Sequence, residues 1–94
     1  MELYEIKNGL DKAHLLIDEY RKSAQIDEKL REIEGLSYQT MQDGFWDDPT
    51  KAKKIYDELN DMKKITDEYE NLCQSLNLLD ETYTLVKETD DQEF

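Results

Sequence analysis

Between Thr50 and Phe94 the chain contains neither Gly nor Pro. A sheet needs turn residues every few positions, so a stretch this long without either breaker restricts the chain to helix. Its apolar residues agree with that restriction. Ala52, Ile55, Leu59, Met62, Ile65 with Thr66, Tyr69, Leu72 with Cys73, Leu76, Leu79, Tyr83 and Val86 recur at steps of three and four. The pattern predicts a helix over 49–88, either continuous or bent near 75–77. Thr89, Asp90 and Asp91 then read as a loop or as a cap.

The first half carries two shorter patterns. Leu3, Ile6, Leu10, Ala13, Ile17, Tyr20 and Ala24 form a heptad seam, which predicts a helix over 2–22. Gly9 weakens this helix by about 1 kcal/mol without ending it. The segment Ser23 to Asp27 breaks the seam, and Asp27 is expected to cap a second helix over 28–42 carrying Leu30, Ile33, Leu36 and Met41. Ser37 and Thr40 dilute that stripe.

Residues 43–54, DGFWDDPTKAKK, interrupt the helical texture with the only Trp and the only Pro. Gly44 permits a positive φ after a helix end, and Asp48-Pro49 is an N-cap followed by a first-turn proline. The stretch reads as stop, turn and restart. Phe45 and Trp46 are expected to tuck beneath the helix ends as a staple, with a partner-binding hot spot as the alternative. The fold class is therefore all-α: an antiparallel helical bundle or coiled coil of three helices with a long third helix, in one domain over 1–94.

Composition narrows the partners. Charged residues make up 38% of the chain and the net charge is −12, so broad contact with free nucleic acid is not expected. Lys51, Lys53, Lys54, Lys63 and Lys64 stand against Asp57, Glu58 and Asp61. This mildly basic segment is either a solvated helix face or a contact for an anionic partner. The one cysteine, Cys73, forms no internal disulfide and points to a reducing compartment. The start, MELYEIKNGLDKAH, has no apolar run suited to a signal peptide or membrane span. A soluble, cytoplasmic protein is expected.

No catalytic constellation, cofactor site or metal site is legible. His14 has no Cys or second His at metal spacing, and reads as structural or surface. Asp47-Asp48 contains a cap, Asp90-Asp91 lies in an acidic tail, and Ser23, Ser37 and Ser75 have no His in a nucleophile arrangement. The chain does not read as an enzyme.

The lengths pose a problem of coverage. At 1.5 Å per residue the helices measure about 30, 22 and 55 Å, and two short antiparallel helices cover only half of the long one. The stripe Leu72, Leu76, Leu79, Tyr83 and Val86 is then an oligomer face or the seat of a missing helix. On this reading the chain is a fragment, or it self-associates as a coiled-coil module through a homodimer or a partner helix.

The tract FWDDPTKAKKIYDELN, followed by a long charged helix and an acidic "DD" segment, resembles the amino-terminal domain of the bacterial peptide chain release factor 2 family. The features that carry the likeness are Phe45, Trp46, Asp47, Asp48 and Ala52 in their turn-helix setting. Where that family has Arg-Gly-x-Leu-Asp, this chain has Arg21-Lys22-Ser23-Ala24-Gln25, so that loop is expected to differ. The family's Gly-Gly-Gln and Ser-Pro-Phe tripeptides are absent from residues 1–94, and no catalytic or codon-reading residue carries over. The resemblance implies a non-catalytic, ribosome-contacting module of a translation termination factor. Such a domain is seated near the stalk base and communicates with the GTPase that recycles the factor, with the five lysines as candidate contacts. It also implies a further helix returning along the long one, a fourth helix that this sequence lacks.

Overall fold

The computed structural model describes residues 2–92. Helix α1 spans Leu3–Ser23, α2 spans Ile26–Thr40, and α3 spans Pro49–Gln92, with a single 3₁₀ turn at Phe45–Asp47 before it. No helix among the described residues is long and apolar enough to cross a membrane. The molecule measures 70 × 23 × 16 Å. That long axis matches the roughly 66 Å rise of the 44 residues of α3.

A rod this thin requires α1 and α2 to lie end to end, antiparallel to α3, and both pack along it. The Tyr20 and Tyr69 rings lie 6.4 Å apart. Further out, His14 Nε2 lies 2.7 Å from Asp80 Oδ2. The coverage problem is thereby resolved: α2 takes the first half of α3 and α1 takes the second. The expectation that two helices leave half of α3 bare is corrected, because they are laid in series.

The series arrangement depends on a two-residue joint. At the end of α1, the Ala24 N–H donates to the Tyr20 carbonyl (2.8 Å) and the Gln25 N–H to the Lys22 carbonyl (3.1 Å). Gln25 then adopts φ 53° and ψ 48°, the left-handed region, which costs a non-glycine residue about 1–2 kcal/mol. The reversal of backbone hand places Ile26 in the seam, where it is 1% exposed. Burial of one such side chain contributes about 1.5–3 kcal/mol, which offsets the strain. Gln25, not Asp27, is thus the N-cap of α2. The Asp27 carboxylate is engaged elsewhere, accepting from Arg21 Nε (3.1 Å) and Nη2 (3.0 Å) across the joint.

At the other end, α2 stops two residues earlier than its periodicity suggests. The Met41 and Gln42 N–H groups turn to the Tyr38 and Gln39 carbonyls at 3.1 and 3.2 Å, a tightening common at helix ends. Gly44 follows at φ 81°. A Cβ there would stand 3.1 Å from Asp47 Oδ2, a second reason for glycine besides the backbone angle. Asp48 caps α3 as expected: its Oδ1 accepts from the Lys51 N–H at 3.1 Å. Its carbonyl accepts from the Ala52 N–H at 2.9 Å. From Pro49 the helix runs without a break at 75–77 and continues through Thr89–Gln92, since no residue there removes a donor or relaxes the backbone.

A rod two helices thick buries little. Among the described residues the buried ones are Ile26, Ala52, Leu59, Leu76 and Thr66. The α1 seam is half-buried throughout, and no residue of α1 is fully covered. In α2, Ser37 and Thr40 lie partly buried beside Ile33 and Leu36, whereas Leu30 and Met41 are 50% and 73% exposed. The two residues that dilute the apolar stripe are therefore seam residues. Thr40 can serve there because its hydroxyl donates to the Ser37 carbonyl at 2.7 Å.

Candidate functional site

The turn between α2 and α3 gathers the aromatics that the sequence singles out. Gly44 ends the chain reversal and the 3₁₀ turn sets Phe45 and Trp46 side by side, rings 5.2 Å apart and edge to face. Trp46 then stacks on Tyr56, one face against the other at 5.4 Å and 29°, and Phe45 tilts against the same ring at 6.1 Å. Tyr56 completes the cluster because it lies two turns into α3, on the side to which the 3₁₀ turn leads. The staple expectation needs correction at one residue. Phe45 is half-buried, but Trp46 is 60% exposed and lies on the flank of α3. The physical reason is space: the seam beside the turn is closed by Ala52, which is 0% exposed, so an indole has no room between the helices.

The five lysines lie along the first part of α3, all exposed. Successive residues on a helix are rotated by about 100°, which places Lys51 and Lys54 close together on one side and sends Lys53 and Lys63 toward the other. Lys53 is also spoken for: its Nζ donates to Asp57 Oδ2 at 2.8 Å. That hydrogen bond, then the carboxylate's charge, raises the Lys53 pKa above its ordinary value. A shallow groove runs alongside, where Lys53 and Lys54 face Asp57, Glu58 and Asp61. The structure does not bring the lysines into one basic patch. Lys51 lines a cavity with Phe45 at the start of α3, whereas Trp46 and Tyr56 lie on the side of the helix away from Lys51 and Lys54.

A second charged cluster, which the periodicity does not reveal, sits at the α1–α2 joint. Arg21, Lys22 and Arg31 face Asp18, Asp27 and Glu28 around an open polar cavity. Arg21 is held by Asp27 as above, and Lys22 Nζ pairs with Asp18 Oδ2 at 3.1 Å. The hydrogen bond to Asp27, reinforced by its charge, raises the Arg21 pKa. The Arg21–Asp27 pair clamps the joint, and three carboxylates balance the three cations around the cavity. Among the described residues no group of three or more His, Cys, Asp or Glu side chains could hold a metal ion. His14 is half exposed and bridges α1 to Asp80 of α3.

The expected oligomer or missing-helix face separates into two. Leu76 is 5% exposed and Tyr83 is half-buried against α1, whereas Leu72, Leu79 and Val86 are 49%, 56% and 49% exposed. Steps of three and four read as one stripe along a short helix. Over four turns this set alternates between the inner seam and the flank beside it.

With this geometry in view, the chain is similar to peptide chain release factor 2 of Exiguobacterium sp., with 33% identity over 93 residues. It has the same identity to the release factor 2 of Staphylococcus aureus, and 30% over 92 residues to that of Staphylococcus saprophyticus. These alignments take in 98–99% of this chain and 25% of each relative. The chain thus spans about a quarter of the length of the curated relatives it matches, in their N-terminal part. No family model matches the chain. No solved structure matches it either.

Proposed function

We propose that the chain is a non-catalytic helical domain of a cytoplasmic translation termination factor, which contacts the ribosome near the stalk base. The observation that supports this reading is the similarity to release factor 2 along 99% of the chain. The aromatic turn that first suggested the likeness is built as a defined structural unit. In this reading the 70 Å rod acts as an arm: it makes no bonds to the reacting groups, but fixes where the rest of the factor sits. Positioning of that kind lowers an activation barrier through orientation, without chemistry of its own.

The contact is assigned to the start of α3, where Lys51 and Lys54 lie on one side of the helix, Lys51 beside Phe45, and Trp46 with Tyr56 lies on the other. Two neighbouring cations suit ribosomal phosphate, and a half-exposed indole suits a protein surface or a base. Co-sedimentation of the purified chain with ribosomes tests this. Binding is expected to fall by at least about 3-fold when Lys51→Glu and Lys54→Glu are combined, and to be lost on ribosomes stripped of their stalk proteins. Equal binding to intact and stripped ribosomes overturns the stalk-base assignment.

A further inference from the structure

The aromatic turn presents a prepared surface. One face of the Trp46 indole lies on Tyr56, 5.4 Å away and inclined by 29°, and the Phe45 ring stands across it at 87°. The other face is open, which accounts for an indole that is 60% exposed within a cluster of three rings. Two neighbouring rings hold the indole in one orientation, so a planar group that stacks on it meets a surface already ordered.

Charge on the same flank selects the kind of planar group. At 100° per residue, Lys53, Asn60 and Lys63 lie within about 60° of Tyr56 around α3. Acidic residues outnumber basic ones 24 to 12 in the chain, yet from Pro49 to Lys63 none shares this flank. Asp57, Glu58 and Asp61 are rotated away by about 100° or more, and Asp67, one turn beyond Lys63, ends the strip. The bed that suits a returning helix of the same factor lies elsewhere: Leu72, Leu79 and Val86 are rotated by about 120–160° from Tyr56 and begin about 24 Å further along α3.

We infer that Trp46 is a stacking platform for one unpaired base of an RNA strand, with Lys53 and Lys63 on the phosphates beside it. Every base has a face for the indole and carries anions that a nearby lysine can meet. The Lys53 ammonium has three protons to donate and gives one to Asp57 at 2.8 Å, so it can also reach a phosphate. Lys63 stands about 10 Å beyond Tyr56 on the same flank. An arginine of a protein partner also stacks on indole, but the two lysines repel it where they attract a nucleotide. The net charge of −12 opposes a long strand and confines the contact to one base and its nearest phosphates. The inference deepens the ribosomal reading and rests on it for the source of the strand.

Trp46 is the only tryptophan and reports on its own open face. Titration of the whole chain at low salt with a single-stranded oligoadenylate of about five nucleotides should quench the indole emission saturably, through base stacking. The same strand annealed to its complement offers phosphates without an open base and should leave the emission unchanged. Tyr56→Leu keeps the indole but removes its support, and should weaken single-strand binding by at least about 5-fold. Lys53→Gln combined with Lys63→Gln should weaken it by at least about 3-fold. Lys12→Gln combined with Lys87→Gln makes the same change of net charge in the outer half and should leave binding as it was, with helix content by circular dichroism equal in all variants. Absence of saturable quenching up to about 1 mM strand, beyond the range of nonspecific binding, overturns the proposal. Equal quenching by the duplex does so too, as does indifference to both Tyr56→Leu and the lysine pair. On ribosomes, ultraviolet irradiation should link Trp46 to ribosomal RNA, and linkage to ribosomal protein without RNA overturns the base assignment. The ribosomal reading fails separately, because co-sedimentation is read with Lys51→Glu and Lys54→Glu on the opposite flank, and quenching by the oligonucleotide is read without ribosomes.

Discussion

The two halves of the hairpin use the same architecture with different materials. Where α2 meets α3, the contact contains Ile26, Ala52 and Leu59, all 3% exposed or less. Where α1 meets α3, the one fully buried apolar residue is Leu76. The rest of that seam is only half-buried: Leu3, Ile6, Leu10, Ala13 and Ile17 of α1, the paired Tyr20 and Tyr69, Cys73 and the His14–Asp80 bridge. Aliphatic burial contributes about 25 cal/mol per Å² removed from water, whereas an exposed ion pair contributes about 0–1 kcal/mol. The inner half is therefore the more completely buried, and the outer half is the part that opens first. Periodicity alone shows two equal seams; the side chains that fill them make them unequal.

The most damaging way to break this contrast is to remove a core leucine from each half. Leu59→Ala should cost about 3 kcal/mol, and Leu76→Ala, in the thinner seam, about 2 kcal/mol, read from urea midpoints. Hydrogen exchange sharpens the point. Leu59→Ala should lower protection along the whole rod, while Leu76→Ala lowers it in α1 and outer α3 only. Equal spread from both sites would mean that the halves unfold as one unit.

A smaller loss is expected from Trp46→Ala. An indole that is 60% exposed loses mainly its stacking on Tyr56, about 1 kcal/mol. A loss above about 3 kcal/mol would return the residue to the buried junction that the sequence suggests. The smallest effect is on pH dependence in the outer half. The hydrogen bond with Cys73, and then burial, raise the Tyr69 pKa above its ordinary 10.0. A raised pKa on a neutral acid means that the folded chain holds its proton longer than the unfolded one. The associated stability is present below pH 10 and is lost as pH rises through the folded value. Thermal midpoints taken from about pH 9 to 11 should fall less steeply in Tyr69→Phe than in the parent chain.

The helices and their turn were legible because their signals are local: a breaker-free run, a glycine that needs positive φ, and an aspartate directly before a proline. Their arrangement was not. The series packing depends on Gln25 in the left-handed region, a conformation for which glutamine carries no sequence signal. Thr40 in the seam reads as polar, because the bond of its hydroxyl to the Ser37 carbonyl is invisible in a hydropathy pattern. The lysines fall within fourteen residues of sequence yet point around the helix, which only the 100° rotation per residue reveals.

The cross-section of 23 × 16 Å has a consequence for how the molecule tolerates change. With one layer of side chains between two helices, a residue has neighbours ahead of it and behind it along the axis, but no shell beyond. Damage has one dimension in which to spread, as in repeat arrays. Substitutions a few turns apart share no partner, and their effects should sum. Such a chain accumulates mutations like a ledger of separate small entries, and drifts far in sequence while its outline stays the same.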